Sequence, residues 1–202
     1  MRITHLFFDV GGVLGTNGWD LEQRAAAIAQ FGLESAEFAE RHEEAVGSLE
    51  AGRMTLEEYL DCTVFYRPRR FSREDFRGFM LAQSRPFPDS IALARQLADS
   101  GRYRLMTLNN ESSELNAYRI QHFNLSDIFL AFFSSCWMGV VKPSRRIYEL
   151  ALSISQADPE RSVLIDDRDR NLSPARDLGM HTVLFTNALR LREALAGLGV
   201  PG

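Results

Sequence analysis

Cysteine is scarce: the 202-residue chain has two, Cys62 and Cys136. That excludes a disulfide scaffold, and with no CxxC and no Cys/His cluster nothing suggests a zinc site. Long apolar runs are missing as well. No stretch approaches the ~18 continuous apolar residues that a membrane span needs. The opening, MRITHLFFDVGGVLG, carries one arginine and a short apolar run that includes Asp9. It lacks an A-x-A-like cleavage site and reads as a strand, not a signal peptide. Cations are not in excess: 23 Lys and Arg stand against 27 Asp and Glu, a net charge of −4. That balance excludes a simple basic nucleic-acid binder. Internal repeats and low-complexity segments are absent, and the densest charge feature, Arg67-Pro68-Arg69-Arg70, reads as a short exposed loop. The expected setting is the cytoplasm with reduced thiols, with no membrane and no nucleic acid as partner.

What is present is an ordinary globular composition, 45% hydrophobic and 25% charged. Five short apolar runs rich in β-branched and aromatic residues read as buried strands: Ile3–Val10, Tyr103–Leu108, Ile128–Phe133, Val163–Ile165 and Thr182–Phe185. Helical periodicity separates the later ones, at Ile91–Leu97, Ile147–Leu152 and Asn171–Gly179, and Glu114–Phe123 reads as an amphipathic sheet cover. This alternation predicts an α/β fold with a doubly wound, Rossmann-like parallel sheet. Between Gly15 and Pro86 no strand is evident. Helices are predicted at Asp20–Phe31, Ser35–Val46, Thr55–Phe65 and Ser72–Gln83, with capping boxes at Thr55/Glu58 and Ser72/Asp75. The expected organisation is a core of residues 1–15 and 86–202 with a helical insertion at 16–85.

In an open parallel sheet, ligands gather at the carboxyl ends of the strands. The first strand ends in Asp9 and Gly11-Gly12, the second in Asn109-Asn110, the fourth in Asp166-Asp167, and Lys142 precedes a helix starting near Pro143. Three carboxylates in one place repel one another, and a divalent cation relieves this; oxygen-only ligands favour Mg²⁺. Mg²⁺ would bring a phosphate. Lys142, Asn109 and Asn110 are the candidates to hold its oxygens, and Gly11 and Gly12 let the backbone approach the anion. Asp9 is placed to attack phosphorus. Asn17 and Trp19 are candidates to line a substrate pocket. Trp137 and Met138 are expected to pack beside the site, and Cys136 to be a small buried residue. The four histidines show no metal-ligand spacing.

The pattern FFDVGGVL, TLNN, VVKPSRRIYELAL and VLIDDRDRNLSPARDLGM resembles the haloacid dehalogenase superfamily, mainly aspartyl-nucleophile phosphatases. Residues 171–180 are also similar to the phosphatase domain of some soluble epoxide hydrolases. The resemblance implies a helical cap at 16–85 and Asp9 as nucleophile. It implies Mg²⁺ held by Asp9, the carbonyl of Gly11 and Asp167, with Asp166 supporting through water. Two departures follow. The family's usual Asp-x-Asp has its second Asp, the general acid and base, replaced by Gly11. The usual Ser or Thr of the second motif is Asn109, with Thr107 as the alternative if the register slips by two.

The reaction expected is Mg²⁺-dependent removal of phosphate from a small phosphorylated metabolite through an aspartyl-phosphate. The alternatives are a metal-free 2-haloacid dehalogenase using the same nucleophile on carbon, and a non-catalytic phosphate-ligand sensor. The expected assembly is a monomer or homodimer.

Overall fold

The computed structural model describes residues 2–201. In chain order its elements are β1 (His5–Phe8), α1 (Leu21–Phe31), α2 (Ser35–Glu50), α3 (Leu56–Thr63), α4 (Arg73–Ala82), α5 (Pro88–Asp99), β2 (Arg104–Asn109) and α6 (Ser113–His122). They continue with β3 (Ala131–Ser134), the short α7 (Ser135–Met138), α8 (Arg145–Ser155), β4 (Ser162–Asp166), α9 (Asp169–Asp177), β5 (His181–Leu184) and α10 (Ala188–Gly197). The sheet is five-stranded and all parallel, in the order β3-β2-β1-β4-β5. Strand β1 is central and buried along its whole length. That is why it reads as a continuous apolar run, not an alternating one.

Both faces of the sheet are covered. Leu93, Ala94 and Leu97 of α5 with Leu191 and Leu195 of α10 pack on one face. Ile147, Tyr148, Ala151 and Leu152 of α8 with Leu172 and Ala175 of α9 pack on the other. The order in which strands are added reverses at β1: β2 and β3 lie on one side, β4 and β5 on the other. This switch point opens a crevice at the carboxyl edge.

Helices α1 to α4 form the helical insertion after β1 and enclose an apolar cluster of their own, including Ala27, Phe38, Leu60, Phe76 and Met80. Their starts follow local chemistry. Asp20 with Gln23, Thr55 with Glu58 and Ser72 with Asp75 form reciprocal capping boxes. In α2 the buried residues are Phe38, His42, Ala45 and Leu49, one stripe at helical spacing.

Two expectations are corrected and one element is added. The run Ile128–Phe133 is not all strand: β3 is Ala131–Ser134, and Ile128 and Phe129 are buried in the core from a loop. Burial, not strand geometry, makes that stretch apolar. The helix after Lys142 starts at Arg145, so Lys142 and Pro143 stay in the loop. Helix α10 is an addition to the expected elements, although the Asn187 cap, which accepts from the Arg190 amide, and the Leu191/Leu195 pair signal it.

Candidate functional site

The end of β1 is drawn to β4 by the Asp9 amide, which donates to the Ile165 carbonyl at 2.9 Å. The Asp9 carboxylate emerges at the sheet edge, and its Oδ1 accepts from the Val10 amide at 2.7 Å. The next turn needs glycine. Gly12 has φ +76°, and a Cβ there would overlap the Asp167 carboxylate. The glycine thus clears room for an acid from the β4 loop beside the β1 loop.

Lys142 closes the group. Its Nζ lies 3.0 Å from Asp9 Oδ2 and 2.6 Å from Asp166 Oδ2, and its side chain is 1% exposed. Asp166 is further held by Asn171 Nδ2 at 3.0 Å and by the Arg168 amide at 2.9 Å. Oxygens of Asp9, Asp166 and Asp167 all lie within 4.8 Å of one another. Among the described residues Asp167 Oδ1 is buried and accepts no hydrogen bond, and Arg168 Nε stands 4.0 Å away. The Gly11 carbonyl accepts none among the described residues. An orphaned carboxylate oxygen in an acidic, oxygen-only cluster is a donor set that fits a hard divalent cation.

The electrostatics follow from burial. Burial pushes the Asp9 carboxyl up, Lys142 pulls it back, and Asp166 pushes it up again. Asp167 is raised by burial and then by Asp166. Burial works against the Lys142 charge, but Asp9 and Asp166 hold its ammonium above the ordinary lysine range.

Of these groups, Asp9 and Lys142 open into a cavity of about 350 Å³ between sheet edge and helical insertion. Asp9, Gly11, Asn17, Trp19, Asn110 and Lys142 all contribute to its walls. The two asparagines behave differently from expectation. Asn109 is buried, its amide donating to Asn116 Oδ1 at 3.0 Å and its oxygen accepting from Ser134 Oγ at 3.0 Å. It joins β2 to β3 and α6 and does not line the cavity. Asn110 uses both ends of its amide on the Lys142 backbone, at 2.9 and 2.7 Å. It fixes the loop that presents the lysine. Thr107 is buried in mid-strand, paired with Phe8 and Phe132. Trp137, expected to pack near the site, is 52% exposed.

Sequence reasoning missed much of the far wall. Glu50 and His42 come from α2, Arg24 from α1, Glu111 from the loop after β2, and Arg119 from α6. Arg119 is fully buried, with Nη1 3.4 Å from Glu111 Oε2. Its guanidinium lies beside the position that a Cβ on Gly11 would occupy, as does Asn17 Oδ1. A charged residue on the buried face of an amphipathic helix was the available signal for Arg119. His42 Nδ1 sits 2.8 Å from the Tyr59 hydroxyl, which also accepts from Trp19 Nε1 at 2.8 Å. Burial, then Arg24, pushes this imidazole down to about 4.

Comparison with known proteins places these observations. Residues 3–179 match the family model described as haloacid dehalogenase-like hydrolase. Bifunctional epoxide hydrolase 2 of Rattus norvegicus is 33% identical over 141 residues, 66% of this chain and 25% of that protein. The Sus scrofa protein is 26% identical over 219 residues, 98% of this chain and 40% of that one. The chain therefore spans at most two fifths of the length of these two relatives. Glyceraldehyde 3-phosphate phosphatase of Methanothermobacter thermautotrophicus is 27% identical over 119 residues, 58% of this chain and 52% of that protein. A crystal structure of a family enzyme from Bacteroides thetaiotaomicron shares the fold, with TM-score 0.81, 20% identity and coverage of 92% and 95%. A structure of that enzyme with magnesium and inorganic phosphate has TM-score 0.75, 20% identity and coverage of 91% and 94%.

Proposed function

Since the chain belongs to the haloacid dehalogenase-like hydrolases, we propose that it is a Mg²⁺-dependent phosphatase acting on a small phosphorylated metabolite. The observation that carries this reading is the acidic cluster of Asp9, Asp166 and Asp167, with one orphaned oxygen and with Lys142 paired to Asp9 and Asp166, at the edge of a cavity that Asp9 and Lys142 line. The relatives that bear on it are the phosphatase of Methanothermobacter thermautotrophicus and the epoxide hydrolases that match only in part.

Asp9, the Gly11 carbonyl and Asp167 would hold the metal, with Asp166 behind them. Bound there, Mg²⁺ would neutralise phosphate charge and orient the ester. Asp9 Oδ attacks phosphorus and the ester oxygen departs, leaving an aspartyl-phosphate that water then cleaves. Lys142 counters the charge that grows on the equatorial oxygens. Asn110 keeps the Lys142 backbone in place, and Asn109 anchors the end of β2. Gly12 gives Asp167 its room. The helical insertion, residues 16–85, serves as a cap whose Asn17, Trp19, His42 and Arg24 face the rest of the substrate and exclude bulk water.

The test is release of inorganic phosphate from a panel of phosphate esters. Turnover is expected with Mg²⁺, falling to background with EDTA and in Asp9→Asn. A wild-type protein no faster than Asp9→Asn on every ester overturns the reading. The dehalogenase alternative needs chloride release from a 2-haloacid without metal; without a cation the orphaned Asp167 oxygen would repel that anionic substrate.

A further inference from the structure

The proposed chemistry lacks a proton carrier where the family resemblance leads one to expect it, because residue 11 is glycine. We propose that Glu50, presented from the helical insertion, is the general acid and base of this reaction and a catalytic residue of the cavity. The inference rests on the phosphatase reading above.

Glu50 closes α2 and lines the same cavity as Asp9, Gly11 and Lys142. Its backbone is clamped to the core. Ser135 Oγ, at the start of α7, donates to the Glu50 carbonyl at 2.6 Å. Two residues on, Gly52 has φ +67°, and a Cβ there would run into the Cys136 backbone carbonyl. So close a backbone approach registers the end of α2 against the carboxyl edge of the sheet. The Glu50 side chain is half-buried, and among the described residues its carboxylate makes no hydrogen bond and no ion pair. A half-buried carboxylate without a partner, on a residue that lines a cavity in need of a proton donor, is free to exchange its proton with substrate.

Of the other carboxylates that line the cavity besides Asp9, Asp20 is paired with Arg168, and Glu111 is differently placed. Arg119 lies 3.4 Å from it and the Ser112 amide donates to it at 3.0 Å. It is committed to the guanidinium. Its charge acts on Glu50, whose carboxyl is pushed up to about 7, first by burial and then by Glu111, against Arg168, Lys142 and Arg170. Burial raises both carboxyls, but only Glu111 has a cation and an amide in contact that draw it back, and such a difference in surroundings is how a pair of carboxylates divides its roles. His42 in the same wall is uncharged near pH 7 and a weak acid there.

The protons balance. As Asp9 forms its bond to phosphorus, the phosphorus–oxygen bond to the leaving group breaks. Glu50 gives its proton to that oxygen and becomes a carboxylate. It then takes a proton from the water that attacks the aspartyl-phosphate. Asp9 and inorganic phosphate are released, and Glu50 is protonated again.

The experiment compares wild type, Glu50→Gln and Glu111→Gln, all with Mg²⁺, on an alkyl phosphate and on acetyl phosphate. Circular dichroism and melting check that each is folded. Glu50→Gln is expected to lose about 10²–10⁴-fold in kcat/KM on the alkyl phosphate. The loss should be far smaller on acetyl phosphate, whose leaving group needs no proton. With acetyl phosphate the variant should accumulate phosphate on Asp9, detected by mass spectrometry of the quenched protein. The wild-type kcat/KM for the alkyl phosphate should fall as pH rises past about 7, and Glu50→Gln should lack that limb. A variant matching wild type in rate and pH profile overturns the proposal, as does loss of the limb in Glu111→Gln alone. Those outcomes leave the phosphatase reading intact. A wild type inert on both compounds and unlabelled at Asp9 defeats that reading, and this proposal with it.

Discussion

Lys142 shows most directly how much one side chain balances. It stands between Asp9 and Asp166 at 3.0 and 2.6 Å, with almost no contact with water. A buried charge cluster is tolerable only while its members are paired. Replacing Lys142 by Met keeps the apolar stem and removes the ammonium, leaving the carboxylates of Asp9, Asp166 and Asp167 facing one another. In metal-free buffer near neutral pH, Lys142→Met should lose about 3–5 kcal/mol of stability, the usual cost of breaking a buried pair from one side. Urea denaturation measures it, and a variant within about 1 kcal/mol of wild type would show the cluster to be more hydrated than its burial indicates. An exposed lysine would behave differently, since its loss changes little. At this scale the sequence was informative where a residue's neighbours in the chain are also its neighbours in space. Asp9, Gly12, Asp166 and Asp167 each sit at a strand end, so their clustering follows from a parallel sheet alone. Asn109 and Asn110 sit there too, but adjacent residues on a strand point to opposite faces. Which amide meets Lys142 and which meets Ser134 is decided by partners more than 20 residues away.

Among the elements, the strands and the four inserted helices were legible because period and capping are local properties. The functional edge of α2 was not. Glu50 acquires its role only through the contact of the α2 end with α7, a contact that no periodicity encodes. The glycines around it carry that information in another form. Gly47 lies inside α2, exposed, with nothing within 4 Å of where a Cβ would stand, whereas Gly52 has positive φ and lies against the Cys136 backbone. Gly47→Ala should stabilise by about 0.5–1 kcal/mol, since only the helix propensity changes. Gly52→Ala should destabilise by about 1–3 kcal/mol from the left-handed backbone alone, with more from the overlap. Denaturant titration of the two variants is the check. The substitution is the same and the sequence positions are five apart, so opposite signs isolate the contact with the core. Gly52→Ala should also reduce kcat on alkyl phosphates by moving Glu50, while Gly47→Ala leaves it unchanged.

For the whole molecule, the question is what couples the helical insertion to the sheet. The two connecting segments are laid side by side: the Thr16 amide donates to the Arg85 carbonyl at 2.9 Å, the Phe87 amide to the Leu14 carbonyl at 2.8 Å. Arg119 ties this pair to α6. Its Nη2 donates to the Thr16 carbonyl, its Nε to Ser84 Oγ at 3.1 Å, and its Nη1 faces Glu111 at 3.4 Å. A second link pairs Arg168 beside β4 with Asp20 at the start of α1. Arg119 is among the largest fully buried side chains of the described residues, and its removal has two separable consequences. Arg119→Met unties both connecting segments and leaves Glu111 buried without its cation. The second effect alone predicts a loss of about 3–5 kcal/mol. Removing both charges, in Arg119→Met/Glu111→Leu, should recover a large part of it, because an apolar pair of similar volume avoids the desolvation of either ion. What the double variant does not recover is the tie between insertion and core. Trp19 reports the insertion, since its ring packs edge-on against Phe38 and Phe76, and a Trp137→Phe background removes the exposed indole of α7. In wild type on that background, Trp19 fluorescence and far-ultraviolet circular dichroism should trace a single transition in urea. In the double variant the fluorescence transition should move to lower urea than the circular dichroism one, as the insertion's own apolar cluster unfolds before the sheet. Coincident transitions there would mean that the insertion is held by its packing and by Asp20–Arg168, not through Arg119.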